Sequence, residues 1–310
     1  MNLKLVIGPL LFAALVLGGG VASTQQMADP EFNAVVERPA YTRSYPRVLF
    51  DEAHNNFHTS GGRYKPFADL ISSDGYRVVA NRKPFTKETL GSFKVLVIAN
   101  ALGAEEMDDE GADQPAFTED ECDVVRDWIR SGGALLLIAD HAPFGAAAQS
   151  LAKRFEIEMS KGFVFDGEHG EQGNPSALVF SRENKLLLDT PITNGRNDSE
   201  KTNRVLAFTG QAIKGPETSL VFLRLGEQAR DKANPSAESA TAVGGQAQGL
   251  ALKFGKGRVV VLGEAAMLSA QVLGSQAAGS HKMRMGMNVP GIDNRQLALN
   301  IMHWLSGLLK

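Results

Sequence analysis

Acidic and imidazole side chains follow the ends of three apolar segments in this chain. Histidines and carboxylates are common general acids and bases, and they are also ligands of zinc and manganese. The spacing shows neither an HExxH nor an HxH pattern, so residue types alone leave the chemistry open. In chain order, the candidate residues are Asp51, Glu52, His54, Asp140, His141 and Glu264.

Three interpretations of these residues stay open. In the first, all of them except Glu52 hold a divalent cation such as zinc or manganese, which activates water for hydrolysis. In the second, Glu52 or Glu264 works with His54 or His141 in metal-free acid–base catalysis. In the third, the same residues cap helices and satisfy buried loop backbone.

The apolar segments before these residues predict strands of a parallel sheet. Residues 94–99 (KVLVIA) and 134–139 (ALLLIA) are apolar throughout, which is typical of strands buried on both faces. We expect these two strands to be adjacent or nearly so, with further strands at 47–50 and 76–80. Helical spacing between the strands, including a helix with a capping box at Thr118 and Glu121, predicts covering helices.

The second half of the chain predicts additions to the same sheet. Short β-like runs lie between about 160 and 225, and residues 226–247 read as long loops because they contain few large apolar side chains. Residues 248–254 and 258–262 flank Gly-Lys-Gly, which predicts an antiparallel hairpin, and a helix closes the chain at 293–306. The predicted fold class is α/β: a flavodoxin-like three-layer fold with a mostly parallel central sheet and an added antiparallel hairpin.

The predicted sheet brings residues that are distant in the chain together at one candidate site. Ligands of open α/β sheets bind beyond the carboxyl ends of the strands. We therefore expect at least three of Asp51, His54, Asp140, His141 and Glu264 to share one concave site, with Glu52 near its rim. Gly61 and Gly62 precede a predicted helix and favour a turn over an anion site at the helix N-terminus.

Composition excludes several classes of protein. The 310 residues include 32 Lys and Arg against 35 Asp and Glu, a net charge of −3, so no basic excess supports a dedicated nucleic-acid-binding role. One cysteine, Cys122, excludes an internal disulfide and a zinc site built on cysteines.

The first residues predict export. A basic start, a 13-residue apolar run at 5–17 and small residues near 21–23 form the pattern of a cleaved signal peptide, with an uncleaved membrane anchor as the alternative. The predicted organisation is a signal peptide at 1–23, a linker or arm at 24–46 and one domain at 47–308. The expected location is periplasmic or secreted, with no membrane contact beyond such an anchor.

Six segments of the chain carry a family resemblance: VLFDEAHNN, KVLVIANAL, the 118–133 helix, ALLLIADHAPFG, RVVVLGEAAM and DNRQLALNIMHWL. Together they resemble exported bacterial domains of unknown function in the class I glutamine amidotransferase-like superfamily, and the intraflagellar-transport GIFT domain is similar. The resemblance implies the fold over about residues 46–308. It does not imply glutamine hydrolysis, because Asp140 and His141 stand where the amidotransferases carry their nucleophilic cysteine.

The function hypotheses come from different classes. The leading one is an exported hydrolase acting on a small polar or carbohydrate-type substrate, with Glu52, His54, Asp140, His141 and Glu264 as the catalytic candidates. The alternative is a non-catalytic domain that binds a sugar, a peptide or a protein in the same strand-end cleft. A membrane-anchored assembly module is the third. A covered strand edge favours the binding domain over the enzyme.

Overall fold

A computed structural model of the protein describes residues 26–273 and 283–310. The predicted signal peptide at 1–23 lies outside the described residues. The strands are β1 (Met27–Ala28), β2 (Arg47–Asp51), β3 (Arg77–Asn81), β4 (Val95–Ala99), β5 (Ala134–Ile138), β6 (Glu158–Met159), β7 (Phe163–Phe165), β8 (Gly170–Glu171), β9 (Asn174–Ser181), β10 (Arg204–Phe208), β11 (Ile213–Lys214), β12 (Leu220–Arg224), β13 (Arg230–Lys232), β14 (Thr241–Ala242), β15 (Ala247–Phe254), β16 (Gly257–Leu262), β17 (Ala270–Leu273) and β18 (Met283–Gly286). The α-helices are α1 (Lys65–Ser73), α2 (Lys87–Leu90), α3 (Glu119–Arg130), α4 (Phe144–Ala152), α5 (Pro191–Asn194) and α6 (Asn294–Ser306).

The central sheet has nine strands in the described part of the chain, and its order confirms the predicted α/β class. Five parallel strands run in the order β3-β2-β4-β5-β16. Antiparallel strands β15, β11 and β6 extend the sheet beyond β16, and β12 also pairs with β15. The prediction that residues 94–99 and 134–139 form adjacent strands is confirmed, since β4 pairs with β5. The predicted hairpin is also present as β15 and β16, and it joins the same sheet.

Helices cover both faces of this sheet. Side chains of β4 and β5 are buried along their whole length, because each strand alternates apolar residues between two cores. One core contains α1 and α6, and the other contains α3 and α4. Helix α3 begins with the predicted capping box, in which Thr118 Oγ1 accepts a hydrogen bond from the Glu121 N–H and the Glu121 carboxylate accepts one from the Thr118 N–H.

The segment 226–247 corrects one sequence prediction. It contains β13 and β14, which form a small antiparallel sheet with β7, and Ala229 and Val243 are buried. Strands this short gain their stability from pairing with a segment more than 60 positions away, which local composition does not show. The expectation of an unstructured loop there is therefore wrong.

The predicted arm at 24–46 packs against the rest of the molecule from Gln26 onward. Strand β1 pairs with β17, and the N–H groups of Val36 and Ala40 donate hydrogen bonds to Ser73 and Asp74 next to the end of α1. The domain boundary near residue 46 stays a prediction. In the described ranges 26–273 and 283–310, no helix has the length and apolarity needed to cross a membrane.

Gly257 gives a test of how tightly β16 is held. A Cβ atom at Gly257 would overlap the carbonyl oxygens of Ile129 and Gly133, which belong to the backbone and cannot swing aside. We expect Gly257→Ala to lower the free energy of unfolding by about 2–3 kcal/mol, measured by urea denaturation. The control is Gly167→Ala, which meets no atom within 4 Å and should change stability by about 0.5 kcal/mol or less. Equal stability of the two variants would contradict the packing described here.

Candidate functional site

The register of two parallel strands places Asp140 beside Glu264. Ile138 in β5 lies opposite Leu262 in β16, and each acidic residue lies two positions beyond its member of that pair. Neighbouring strands are about 4.8 Å apart, and residues two positions apart point to the same face. Ile138 and Leu262 face the core that contains α1 and α6. The two carboxyl groups therefore lie on the α1–α6 side of the carboxyl edge.

Backbone N–H groups hold both carboxyl groups. The Glu264 oxygens accept hydrogen bonds from the N–H groups of Ala266 and Met267 at 2.6 and 2.7 Å, so this residue caps the short 3₁₀ turn at 266–268. Asp140 Oδ1 accepts from the His141 N–H at 2.7 Å, and the Asp140 N–H donates to Asn100 Oδ1 at 3.0 Å. Asp140 is 8% exposed and Glu264 is fully buried.

Burial raises the pKa of both acids. For Glu264, burial and then the charge of Asp140 raise the pKa well above its usual value, against the effect of the backbone N–H groups. For Asp140, burial raises the pKa although the charge and N–H of His141 lower it. Two buried carboxyl groups beside each other disfavour a second negative charge. The pair therefore keeps a proton to higher pH than isolated carboxyls would.

Tyr64 and His58 belong to the same cluster, although the sequence analysis did not place them among the candidates. The Tyr64 hydroxyl donates to the Ala265 carbonyl at 2.5 Å, and its ring stacks on His58 with centroids 4.8 Å apart. Burial, followed by the charges of Glu264 and Asp140, raises the pKa of Tyr64. Tyr64 is the N-cap residue of α1.

His141 is the candidate histidine that retains a ring nitrogen for other partners. Nδ1 lies 2.8 Å from the Ala142 carbonyl oxygen, which can only accept, so Nδ1 carries the proton. The ring stacks on Phe163 with centroids 4.3 Å apart. In the described residues, Nε2 has no hydrogen-bond partner.

Asp51 and His54 lie on the other face of the sheet from Asp140 and Glu264. Asp51 lies two positions after Leu49, which faces the core that contains α3 and α4. His54 Nδ1 lies 2.8 Å from Asp51 Oδ2, and its Nε2 lies 3.0 Å from Glu121 Oε1. The structure therefore brings Asp140, His141 and Glu264 together and separates Asp51 and His54 from them.

Glu121 is the partner that sequence analysis missed, because its capping-box role explained it fully. One oxygen accepts from Thr118 and the other accepts from the Phe85 N–H in addition to contacting His54. Burial lowers the pKa of His54, but hydrogen bonds to and charges of Asp51 and Glu121 outweigh burial and raise it overall. Burial acts to raise the pKa of Glu121, yet His54, Thr118 and Phe85 bring it below its usual value. The three side chains form a buried ionic network.

The Glu52 carboxylate forms hydrogen bonds within the loop that follows β2. One of its oxygens accepts hydrogen bonds from the Ser60 N–H at 3.0 Å and from the Ser60 hydroxyl at 2.6 Å. The other oxygen lies 3.4 Å from the guanidinium of Arg82, whose side chain is largely exposed. These contacts fix the turn between β2 and α1. A catalytic role for Glu52 stays a prediction.

The described residues do not support the divalent-metal interpretation. In the ranges 26–273 and 283–310, no group of three or more His, Cys, Asp and Glu side chains could hold a metal ion. The physical reason is that the donors are already in use: both ring nitrogens of His54 contact carboxylates, and both oxygens of Glu264 accept backbone N–H groups. Of the three candidates that remain, Asp51 lies on the other face of the sheet from Asp140, so too few lie together for a cation site of three or more protein ligands.

A depression of about 400 Å³ opens beside the segment that follows β5. Its volume suits a small ligand. Its lining combines apolar side chains with two carboxylates and one ammonium group. It is lined by Met107, Asp109, Ala112, Asp113, Ala142, Pro143, Ala146 and Lys161.

Comparisons with known proteins show the fold and no function. No protein-family profile and no curated protein match the chain. Among solved structures, the mmIFT52 N-terminal domain is similar with a TM-score of 0.58 and 15% identity, over 84% of this chain and 97% of that domain. Two proteins of Salmonella typhimurium described as cytoplasmic, one of them from strain LT2, each give a TM-score of 0.48. Their identities are 14% and 11%, over 84% of this chain and 99% and 98% of theirs.

The ionic network around His54 predicts a specific pH dependence of stability. The pKa of His54 is raised above 6.5, so its contribution is complete below about pH 6.5 and is lost as the pH rises through the raised value. We expect His54→Gln to cost about 3 kcal/mol at pH 6, and we expect this cost to shrink towards pH 9. Urea denaturation of both proteins across this range measures it.

The control for this experiment is His169→Gln. His169 is a partly exposed histidine that contacts Asp166 at 3.0 Å, so its replacement removes a histidine–aspartate contact outside the network. We expect a smaller cost from it at pH 6. A His54→Gln cost that stays constant from pH 6 to pH 9 would show that the network is not ionic.

The carboxyl pair predicts coupled titration. We expect Asp140→Asn to lower the pKa of Glu264, because the charge of Asp140 contributes to raising it, while burial still keeps it above its usual value. A ¹³C NMR titration of glutamate side-chain carboxyls measures the shift. Asp189→Asn, at a largely exposed side chain, is the matched control and should leave Glu264 unchanged. An identical Glu264 titration in the wild type and Asp140→Asn would disprove the coupling.

Proposed function

We propose that this protein is an exported, non-catalytic domain that binds a small polar or carbohydrate-type molecule at the carboxyl ends of its parallel strands. One observation carries the proposal: the groups that could have supplied acid–base chemistry are mostly committed to protein partners. Both nitrogens of His54 contact carboxylates, and both oxygens of Glu264 accept hydrogen bonds from backbone N–H groups. A general base must reach its substrate within hydrogen-bond distance.

We also propose that the chain is a divergent member of the class I glutamine amidotransferase-like superfamily with a flavodoxin-like sheet. The order of its five parallel strands supports this, because by position in the chain they run second, first, third, fourth and fifth across the sheet. Its lone cysteine does not supply the missing nucleophile. Cys122 is fully buried in α3, and burial raises the pKa of its thiol.

Recognition groups without partners support a binding role. The loop from 54 to 64 buries Asn56 Nδ2 and His58 Nδ1, neither of which has a hydrogen-bond partner in the described structure. The rings of Phe57 and Tyr64 both contact the His58 ring, with centroids 5.2 and 4.8 Å away. Polar groups beside aromatic rings form the usual lining of small-ligand sites.

A hydrolase acting on the same class of molecule is the second candidate. The observation that favours it is the pairing of His141 Nε2, which lacks a partner in the described residues, with the neighbouring carboxyl of Asp140, whose pKa is raised by burial. In this alternative, His141 and Asp140 would donate and accept protons at the atoms of the bond being cleaved.

Methyl β-glucoside, methyl β-glucuronide and N-acetylglucosamine distinguish these functions. We expect at least one of them to cause saturable ¹H–¹⁵N NMR shifts in residues 54–64 and to remain chemically unchanged after prolonged incubation. Release of methanol from either glycoside, lost in His141→Gln, would replace the binding proposal with the hydrolase. If none of the three compounds shifts these residues, the proposed binding function is wrong for this class of ligand.

A further inference from the structure

We propose that Arg63, His58 and His141 form a subsite for an oxyanion, so that the ligand carries a carboxylate or a phosphate group. This inference rests on the proposed binding function and names the ligand's charge. It follows from three features near the carboxyl edge of the sheet: a cation without a carboxylate partner, a buried nitrogen without a partner, and a helix start without a side-chain cap.

Arg63 supplies the cation. Its guanidinium carbon lies 4.1 Å from the centroid of the Phe57 ring, and its Nε donates a long hydrogen bond of 3.4 Å to the Gln26 carbonyl. Burial lowers the pKa of this side chain, and no carboxylate pairs with it in the described ranges. Arginine presents five donors in a planar fork that fits carboxylate and phosphate oxygens. A partly desolvated guanidinium in this state is stabilised by an incoming anion.

His58 supplies the buried hydrogen-bonding group. The residue is 4% exposed, and its Nδ1 is fully buried without a partner in the described structure. Burial, followed by the positive charges of Arg63 and His141, lowers the pKa of His58 to about 3. The imidazole is therefore neutral and can donate one N–H. An unpaired buried polar group is costly, and an oxygen atom of a ligand would satisfy it.

Aromatic packing brings His141 to the same patch. The Phe57 ring contacts Phe144 with centroids 5.6 Å apart, and Phe144 lies 6.1 Å from the His141 ring. The Phe57 ring also lies beneath the guanidinium of Arg63. One continuous aromatic surface thus carries all three nitrogen-bearing side chains.

The start of α1 adds a favourable field. Helix α1 has nine residues and begins directly after Tyr64, with no side-chain cap on its N-terminus. The positive end of a helix dipole stabilises negative charge close to it. The loop before the helix is a turn, since Gly62 N–H donates to the Thr59 carbonyl at 3.1 Å. Arg63 and Tyr64 therefore follow a hydrogen-bonded turn and are fixed beside the helix start.

The nearby acids Asp140 and Glu264 repel a bound anion less than two exposed carboxylates would. Burial raises the pKa of Asp140 and, together with the charge of Asp140, that of Glu264. The pair therefore carries less negative charge than two exposed carboxylates. The depression beside Pro143 is the less suitable place for an anion, because Asp109 and Asp113 both line it.

Matched neutral and acidic probes test the inference on the purified full chain. Isothermal titration should show that methyl β-glucuronide binds at least tenfold more tightly than methyl β-glucoside, which lacks only the carboxylate. Inorganic phosphate is the second arm: competition with the glucuronide indicates a site that accepts any oxyanion, whereas no competition indicates a site shaped for carboxylate. Both results support an oxyanion subsite and identify its source.

Three variants locate the subsite. We expect Arg63→Gln to weaken glucuronide binding at least tenfold, and His58→Phe, which keeps a ring on Tyr64, to weaken it as well. Arg130→Gln makes the same charge change at the end of α3, near the amino ends of the strands, and should have no effect. Circular dichroism and thermal unfolding verify that each variant is folded.

The outcomes separate this inference from the binding proposal. Equal affinity for glucoside and glucuronide, or glucuronide binding that survives Arg63→Gln, overturns the oxyanion subsite and leaves the binding function standing. Binding of the glucoside alone does the same. Absence of binding by glucoside, glucuronide, N-acetylglucosamine and phosphate alike overturns both.

Discussion

The register between β5 and β16 is the constraint on which the site depends. Parallel pairing sets Ile138 opposite Leu262, and everything beyond that pair follows from the alternation of side chains along a strand. Asp140 and Glu264, 124 positions apart in the chain, become neighbours because each lies two positions past the pair. Any change that moved β16 by one residue would turn Glu264 to the opposite face. Gly257 holds the start of β16 against Ile129 and Gly133, where only a residue without Cβ fits.

The polar residues of the carboxyl edge fall into two groups. On the α3–α4 side, His54 lies between two carboxylates and the rings of Phe85 and Phe117, so its charge is compensated and its position fixed. In the loop between β2 and α1, compensation is incomplete. His58 Nδ1 has no partner and Arg63 has no carboxylate partner in the described residues. Buried groups left in this way are costly, and for this reason we propose that the ligand is recognised by this loop.

The contacts of the carboxyl edge are also the basis of our proposal of a binding domain rather than an enzyme. Catalysis needs groups that can reach a substrate. Both oxygens of Glu264 instead accept hydrogen bonds from a 3₁₀ turn, and the Tyr64 hydroxyl donates to the Ala265 carbonyl. These hydrogen bonds hold the Glu264 and Tyr64 side chains in fixed positions within the protein. The similarity to the mmIFT52 N-terminal domain shows that the architecture occurs elsewhere, and at 15% identity it shows no more than the fold.

The sequence by itself determined the inner parallel strands, the hairpin that joins their sheet and the start of α3. Continuous apolar runs identified β4 and β5, and the capping box identified the start of α3, because burial on two faces and helix capping are local requirements. Only the tertiary structure decided which polar residues meet. Asp51 and Asp140 both come at the ends of apolar strands, yet side-chain alternation places them on opposite faces of the sheet. The carboxylate that contacts His54 Nε2 belongs to Glu121, 67 positions away in the chain. Such contacts depend on sheet register and helix placement, which no local pattern contains. The pairing of β13 and β14 with β7 depended on the tertiary structure for the same reason, since a short strand is stabilised by a distant neighbour rather than by its own residues.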